Sequence, residues 1–187
     1  RGCLAGPVVA GAVVLGDRLA RVLVREGLLD DSKKLTAQRR NLLRARIEAE
    51  AESWCVAFVT PEEIDAINIL QASFLAMRRA VKGLGTPPDR LLIDGNRFVS
   101  EPGFPPHACY IKGDARFASI AAASILAKTH RDAFMRTANE QFPGYHWDQN
   151  AGYPTAAHRA AIRELGATPL HRHSFRLLPE QLSLFDR

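Results

Sequence analysis

The chain has 187 residues, 47% of them hydrophobic and 24% charged, with a formal net charge of +5. That length suits one compact domain with a sizeable core, and the balance excludes a disordered or low-complexity chain. The positive charge favours an acidic partner such as a nucleic-acid backbone, although basic proteins without such a partner share it.

Arg1 opens the chain in the middle of what reads as a strand approach, so the sequence is expected to be a fragment lacking N-terminal residues. Pro7 to Leu15 is rich in Val and bounded by Gly16-Asp17, which predicts a largely buried strand ending in a turn. The apolar run from Leu4 to Leu15 is too short and too rich in Gly and Pro to span a bilayer, and no basic segment precedes it. A cytoplasmic protein with no membrane partner is expected. A second short strand is expected over Ala20 to Val24, paired with the first. Asp30-Asp31-Ser32 supplies cap-type residues before a helix from Thr36 to about Ser53, whose Leu43, Ile47, Ala51 and Trp54 share one face.

Cys55 to Val59 reads as a strand, and Thr60-Pro61-Glu62-Glu63 as a capping box with Pro at the first helical position. The helix that follows is expected to break near Asn68 and to stop at Gly83 and Gly85. Arg90 to Ile93 and Ala108 to Ile111 are short strands that both run into polar loops. A long helix from Arg116 to Gln141 carries Ala121, Ala122, Ala123 and Ser124, small residues that let its backbone lie close to a sheet. Pro143-Gly144 ends it. Thr155 then caps a last helix that ends at Gly166. Strands alternating with helices predict an α/β domain built on one mixed sheet. No linker is read before Pro179, so the division is a domain over 1–178 and a tail over 179–187. Cys3, Cys55 and Cys109 form no C-x-x-C pair, which argues against a zinc or redox site and predicts small buried hydrophobes in a reducing compartment.

Asp94 directly follows one strand and Asp114 closely follows the next, and residues at such sheet edges converge on one crevice. Two carboxylates brought together are best reconciled by hard divalent cations, which activate water and stabilise phosphate oxygens. By spacing alone, the same residues fit ordinary Asp-Gly turn chemistry and a helix cap.

The surrounding words go further. Arg1-Gly2-Cys3-Leu4-Ala5-Gly6-Pro7, Asp31-Ser32-Lys33-Lys34-Leu35, Ile93-Asp94-Gly95-Asn96 and Ile111-Lys112-Gly113-Asp114 stand in order. Ile120-Ala121-Ala122-Ala123-Ser124-Ile125-Leu126-Ala127-Lys128, Gly152-Tyr153-Pro154-Thr155 with His158, His171-Arg172 and Ser174-Phe175 complete the series. Together, from residue 1 to about 176, they resemble the bacterial type 2 ribonucleases H, the ribonuclease HII family. The resemblance implies a ribonuclease H-like fold: a mixed central sheet flanked by helices, a C-terminal helical segment, and a first strand partly or wholly missing here. It implies an endoribonuclease that cuts the RNA strand of RNA/DNA hybrids and incises 5′ of ribonucleotides embedded in duplex DNA, leaving a 3′-hydroxyl. In that family four carboxylates hold two Mg²⁺ or Mn²⁺ ions. Asp94 and Asp114 resemble the third and fourth, while the first two form an Asp-Glu pair preceding a Gly-Arg-Gly turn of which Arg1 and Gly2 remain. A chain without that pair is expected to be impaired, and a hybrid-binding module without catalysis is the alternative. Other nucleases and transposases of the superfold lack the Gly-Tyr-x-Thr and Lys-Gly-Asp contexts.

The resemblance also makes Arg1, Gly2, Lys33, Lys112 and Tyr153 substrate-binding residues, Tyr153 at the RNA-to-DNA junction. Asp132 becomes a group outside the first ring of metal ligands; by spacing it equally fits an i,i+4 pair with Lys128. Family members usually carry Lys where Ala151 stands, so one phosphate contact is expected to be missing. His158, His171 and His173 read as structural hydrogen-bonding groups. A monomer is expected. In the tail, Gln181, Leu182, Leu184 and Phe185 resemble the peptide that docks on the bacterial DNA sliding clamp, against the alternative of a final turn folded back on the domain.

Overall fold

A computed structural model describes residues 2–27 and 35–179, which form two compact units. One unit holds residues 1–8, 58–73 and 131–187, and the other residues 9–57 and 74–130. The elements in chain order are β1 (Val8–Val14), α1 (Asp17–Arg25), α2 (Ala37–Glu50), β2 (Ser53–Val59), α3 (Pro61–Lys82), β3 (Leu91–Asp94) and β4 (His107–Tyr110). A 3-10 turn over Gly113–Ala115 leads into α4 (Ala118–Gln141), followed by α5 (Trp147–Asn150) and α6 (Ala156–Leu165).

Local chemistry explains most of these boundaries. The Thr36 hydroxyl accepts from the Arg39 amide at 3.2 Å and starts α2. At the head of α3 the capping box closes both ways: Thr60 N–H donates to Glu63 at 2.9 Å and Glu63 N–H to the Thr60 hydroxyl at 3.2 Å. Asn68 interrupts α3 with φ 65°, and its Oδ1 accepts from the amides of Leu70 and Gln71, so the side chain both stops one helical stretch and caps the next. Thr155 caps α6 through the His158 amide, and Gly166 ends it at φ 82°.

The strand expected over Ala20 to Val24 is instead part of helix α1. Its Val content suggested a strand, but Leu19 and Leu23, four residues apart, both point into the core, and Asp17 and Arg25 suit the two ends of a helix dipole. Tertiary burial outweighs the weak β preference.

In the unit holding residues 9–57 and 74–130, β1 is hydrogen-bonded to β2 and β3 to β4, as two pairs and not one continuous sheet. A cavity of about 380 Å³ opens between β1 and β3, lined by Val9, Val13, Leu91, Ile93, Ile120 and Ala123 among others. Its apolar walls belong to the two strands, to α4 and to Met77 and Val81 of α3, and neither β1 nor β3 has a ladder partner on that side among the described residues. Leu19, Leu23, Leu43, Ile47, Ile125 and Leu126 form one buried cluster, and Phe74, Leu91, Ile93 and Phe98 another. The small residues of α4 act as expected: a Cβ added at Gly11 of β1 would stand 2.5 Å from the Ala123 carbonyl oxygen, so strand and helix backbones are in direct contact.

The other unit packs Leu4, Ala5, Met135, Tyr145, Trp147 and Ile162 together. Its N-terminal stretch is held by an antiparallel bridge between Ala5 and His171. Among the described residues no helix is long and apolar enough to cross a membrane.

Gly11→Ala is expected to destabilise the chain by about 1–3 kcal/mol, because backbone must move to admit the methyl group. Gly85→Ala, where the nearest atom is 3.8 Å away, leaves stability unchanged. Urea denaturation midpoints of the two variants test the contrast.

Candidate active site

β3 and β4 run parallel, with Leu91 opposite His107 and Asp94 opposite Tyr110. Parallel pairing puts the C-terminal ends of both strands at one rim, where side chains from their following loops can meet. Asp94 ends β3 there, exposed. The chain leaving β4 turns sharply at Lys112, which takes a left-handed conformation at φ 54°, and enters the turn that carries Asp114. Gly113 N–H donates to Asp94 Oδ1 at 3.0 Å, tying that turn to the carboxylate, and Gly95 N–H donates to the Tyr110 carbonyl at 2.9 Å. Asp94, Lys112 and Asp114 are thus gathered at one edge of one unit.

A Cβ at 113 would lie 2.6 Å from Ile120 Cδ1 and 3.5 Å from Asp94 Oδ1, so a side chain there displaces the end of Ile120. Arg116, two residues after Asp114, lies over the rings of Tyr110 and Phe117 at 5.5 and 5.4 Å. This aromatic seat was not read from the sequence, where Tyr110 belongs to a strand and Arg116 and Phe117 to the start of the next helix.

The donor set suits a hard cation: both groups are carboxylates, the oxygen ligands that Mg²⁺ and Mn²⁺ take. Among the described residues no group of three or more His, Cys, Asp or Glu is arranged to hold a metal ion, so the pair fits in kind and falls short of a full coordination set.

Gly2, Tyr153 and Asp132 belong to the other unit. Tyr153 is 46% exposed. Its pKa is raised first by the neighbouring Cys3 thiol and then by burial; Asp132 adds to the rise and Arg131 opposes it. Gly2 is exposed. The turn before Tyr153 is fastened at several points. Arg131 donates to the carbonyls of Ala5 at 3.0 Å, Pro7 at 3.0 Å and Ala151 at 2.8 Å. Gly152 N–H bonds Asn150 Oδ1 at 2.8 Å, and the Gly152 carbonyl accepts from Leu4 at 2.7 Å. Only glycine fits at 152, where φ is 78° and a Cβ would strike the Ala5 carbonyl at 2.5 Å.

Arg131 and Arg172 were not singled out for this role, because nothing in spacing marks an arginine that will collect backbone carbonyls. Arg172, buried, donates to the carbonyls of Gly6 at 3.0 Å and Pro7 at 3.3 Å. Asp65 likewise grips the 173–174 backbone, accepting from His173 N–H at 2.8 Å and Ser174 N–H at 3.0 Å. His158 and His171 are fully buried and hydrogen-bonded, as the structural reading expected. Arg1, Lys33, Gln181, Leu182, Leu184 and Phe185 lie outside the described residues.

The sequence model of the family described as Ribonuclease HII matches residues 1–178. The chain belongs to the ribonuclease HII family. It is accordingly an endoribonuclease of the ribonuclease H class, acting on RNA/DNA hybrids. It is 54% identical over 184 residues to Ribonuclease HII of Parabacteroides distasonis, spanning 98% of this chain and 89% of that protein. To Ribonuclease HII of Bacteroides thetaiotaomicron it is 56% identical over 185 residues, 98% of this chain and 90% of that one. Among solved structures, the ribonuclease H2 of Pyrococcus horikoshii OT3 superposes with a TM-score of 0.79 at 23% identity, over 95% of this chain and 90% of that one. The ribonuclease HII of Archaeoglobus fulgidus, solved as a complex with PCNA, superposes with a TM-score of 0.73 at 25% identity, over 100% of this chain and 95% of that one. Bst-RNase HIII, solved with Mn²⁺, shares the fold at 17% identity with a TM-score of 0.72, over 94% of this chain and 64% of that one. The ribonuclease HII fold is therefore the frame on which the Asp94 rim and the Tyr153 turn are built.

The two buried histidines make stability depend on pH. Burial, more than any other cause, lowers the His158 pKa; burial and then the neighbouring His158 bring His171 down to about 4. Unfolded imidazoles titrate near 6.5, so between about 6.5 and 4 the unfolded chain takes up protons that the folded chain refuses. Stability present above pH 6.5 is expected to fall by up to a few kcal/mol as pH drops through that window. Urea midpoints at pH 7.5 and pH 5 measure the loss, and a midpoint unchanged between them counts against a neutral buried pair.

Proposed function

We propose that this ribonuclease HII family member hydrolyses the RNA strand of RNA/DNA hybrids and incises 5′ of single ribonucleotides in duplex DNA, leaving a 3′-hydroxyl. The reading rests on the gathering of Asp94 and Asp114 at one sheet rim through the Gly113 amide. These two carboxylates would hold Mg²⁺ or Mn²⁺, as part of a set for two ions. When bound, such ions supply an activated water and neutralise charge on the scissile phosphate. The Mn²⁺ complex of Bst-RNase HIII agrees with a divalent cation of this kind.

The chain's own residues have separate tasks. The Gly113 amide orients one oxygen of Asp94, so that the carboxylate is aimed before any cation arrives. Lys112, exposed beside Asp114, contacts the phosphate backbone, where an ammonium group works as a point charge. Tyr153 packs its exposed ring on the sugar beside the RNA-to-DNA junction, and Arg1, Gly2 and Lys33 complete the substrate contacts through the 2′-hydroxyl and phosphates. Asp132, close enough to influence the Tyr153 phenol, is a supporting group and not a metal ligand. The tail residues Gln181, Leu182, Leu184 and Phe185 dock on a DNA sliding clamp; the archaeal relative solved with PCNA is a precedent for a clamp partner.

The test is cleavage of duplex DNA carrying one ribonucleotide, with Mg²⁺ or Mn²⁺ added and then removed by chelation. Asp94→Asn is expected to lower the cleavage rate by about 100-fold or more, the usual scale for removing an electrostatic stabiliser of the transition state. Tyr153→Ala is expected to weaken substrate binding roughly tenfold, within the range for aromatic stacking contacts. An unchanged rate for Asp94→Asn overturns the assignment of the rim as the metal centre.

A further inference from the structure

Below the Tyr153 turn lies a buried hydrogen-bonded chain that the hydrolysis does not use. Trp147, His158 and His171 are all fully buried. The indole N–H of Trp147 donates to His158 Nε2 at 2.9 Å. Indole is a donor only, so Nε2 of His158 carries no proton and the neutral ring holds its hydrogen on Nδ1. That Nδ1–H donates to the Tyr153 carbonyl at 2.9 Å. The same logic settles His171. Its Nδ1 accepts from the Thr168 amide at 2.9 Å, which leaves the proton on Nε2, 3.3 Å from His158 Nε2. Every ring nitrogen therefore has a partner in one neutral tautomer, and the chain has a direction: it ends at the carbonyl of Tyr153.

Resting on the reading of Tyr153 as a substrate contact, we infer that His158 is a positioning residue for that contact. The Tyr153 carbonyl accepts from two donors, the His158 ring and the Thr155 amide at 2.8 Å. Thr155 is itself the cap of α6, and its hydroxyl accepts from the His158 amide at 3.2 Å. His158 thus holds the turn at two points, through its backbone on Thr155 and through its ring on Tyr153. Two residues before Tyr153, Ala151 is left-handed at φ 47°, a conformation that disfavours any residue with a Cβ, so the turn depends on its hydrogen bonds to keep its shape. Fixing the carbonyl fixes the peptide plane from which the half-exposed ring projects, and a pre-set ring loses less freedom when it meets a sugar.

The test compares His158→Phe, His158→Asn, Tyr153→Ala and the double variant Tyr153→Ala/His158→Phe in the full chain. Fluorescence anisotropy measures binding to a duplex carrying one ribonucleotide, without divalent cation, and thermal unfolding is recorded in parallel. Phe keeps the ring volume and loses the donor. Asn leaves a void but places an amide N–H where Nδ1 stands. H158F is expected to weaken binding by about the same tenfold as Y153A, and the double variant to be no weaker than either. H158N, though less stable than H158F, is expected to bind within about threefold of the parent, the scale of one imperfect hydrogen bond. A merely structural role predicts the opposite order, with H158N the weaker binder. The inference is overturned if H158F binds like the parent, if H158N binds as weakly as H158F, or if the losses multiply in the double variant. If Y153A itself binds like the parent, the substrate contact is lost and this inference with it; if only H158F is silent, the contact stands and the positioning role falls. Should H158F not fold, H158A against H158N gives the same comparison, because both leave a void and only Asn keeps the donor.

Discussion

A backbone amide held against a carboxylate organises the rim where β3 and β4 end. Gly113 N–H reaches Asp94 Oδ1 because β3 and β4 are parallel and end together and because Lys112 takes a left-handed turn. The bond also removes rotamer freedom from an exposed carboxylate, so less remains to be lost on binding any ligand. Strand pairing, turn chemistry and carboxylate orientation are here one interaction seen at three scales.

The Tyr153 unit solves a different difficulty. Its segments around residues 2–7, 150–154 and 168–175 contain little regular structure, yet their carbonyls must find donors if they are to be buried. Guanidinium groups suit the task, offering several N–H donors in a fixed plane and no acceptor of their own. Arg131 and Arg172 gather the carbonyls of Ala5, Gly6, Pro7 and Ala151, while Asp65 does the complementary job for the amides of His173 and Ser174. Charged side chains stand in for a ladder.

Much of this was legible beforehand, and unevenly so. Signals confined to a few neighbouring residues were reliable: the Thr60 to Glu63 box, the break at Asn68, the Thr155 cap and Gly166 stop follow from local hydrogen bonding. The Asp94 rim was foreseen as a convergence of strand ends, but the means of convergence, an amide from Gly113, belongs to a backbone path that no spacing encodes. Helix α1 was misread because Val22, Leu23 and Val24 mimic a strand, and the decisive fact, burial of Leu19 beside Leu23, depends on partners distant in sequence. The mixed α/β class was legible, while the pairing of β1 with β2 and of β3 with β4 was not, because ladder partners are set by the fold and not by any one strand's composition. The structural role of the histidines was expected but not their partners, and the arginine networks were illegible outright, since their partners are main-chain carbonyls, identical at every residue.

The left-handed Ala151 has a wider implication. Its shape is imposed by the Arg131 guanidinium on its carbonyl and by Asn150 on the next amide, against the preference of alanine itself. Sequence drift at this site should thus obey a rule unlike that of the core: residues tolerant of positive φ, such as glycine or asparagine, are admitted, and β-branched ones are refused whatever their hydrophobicity. Such a position resembles a sprung clip, in which the frame dictates the bend and the material only has to survive it.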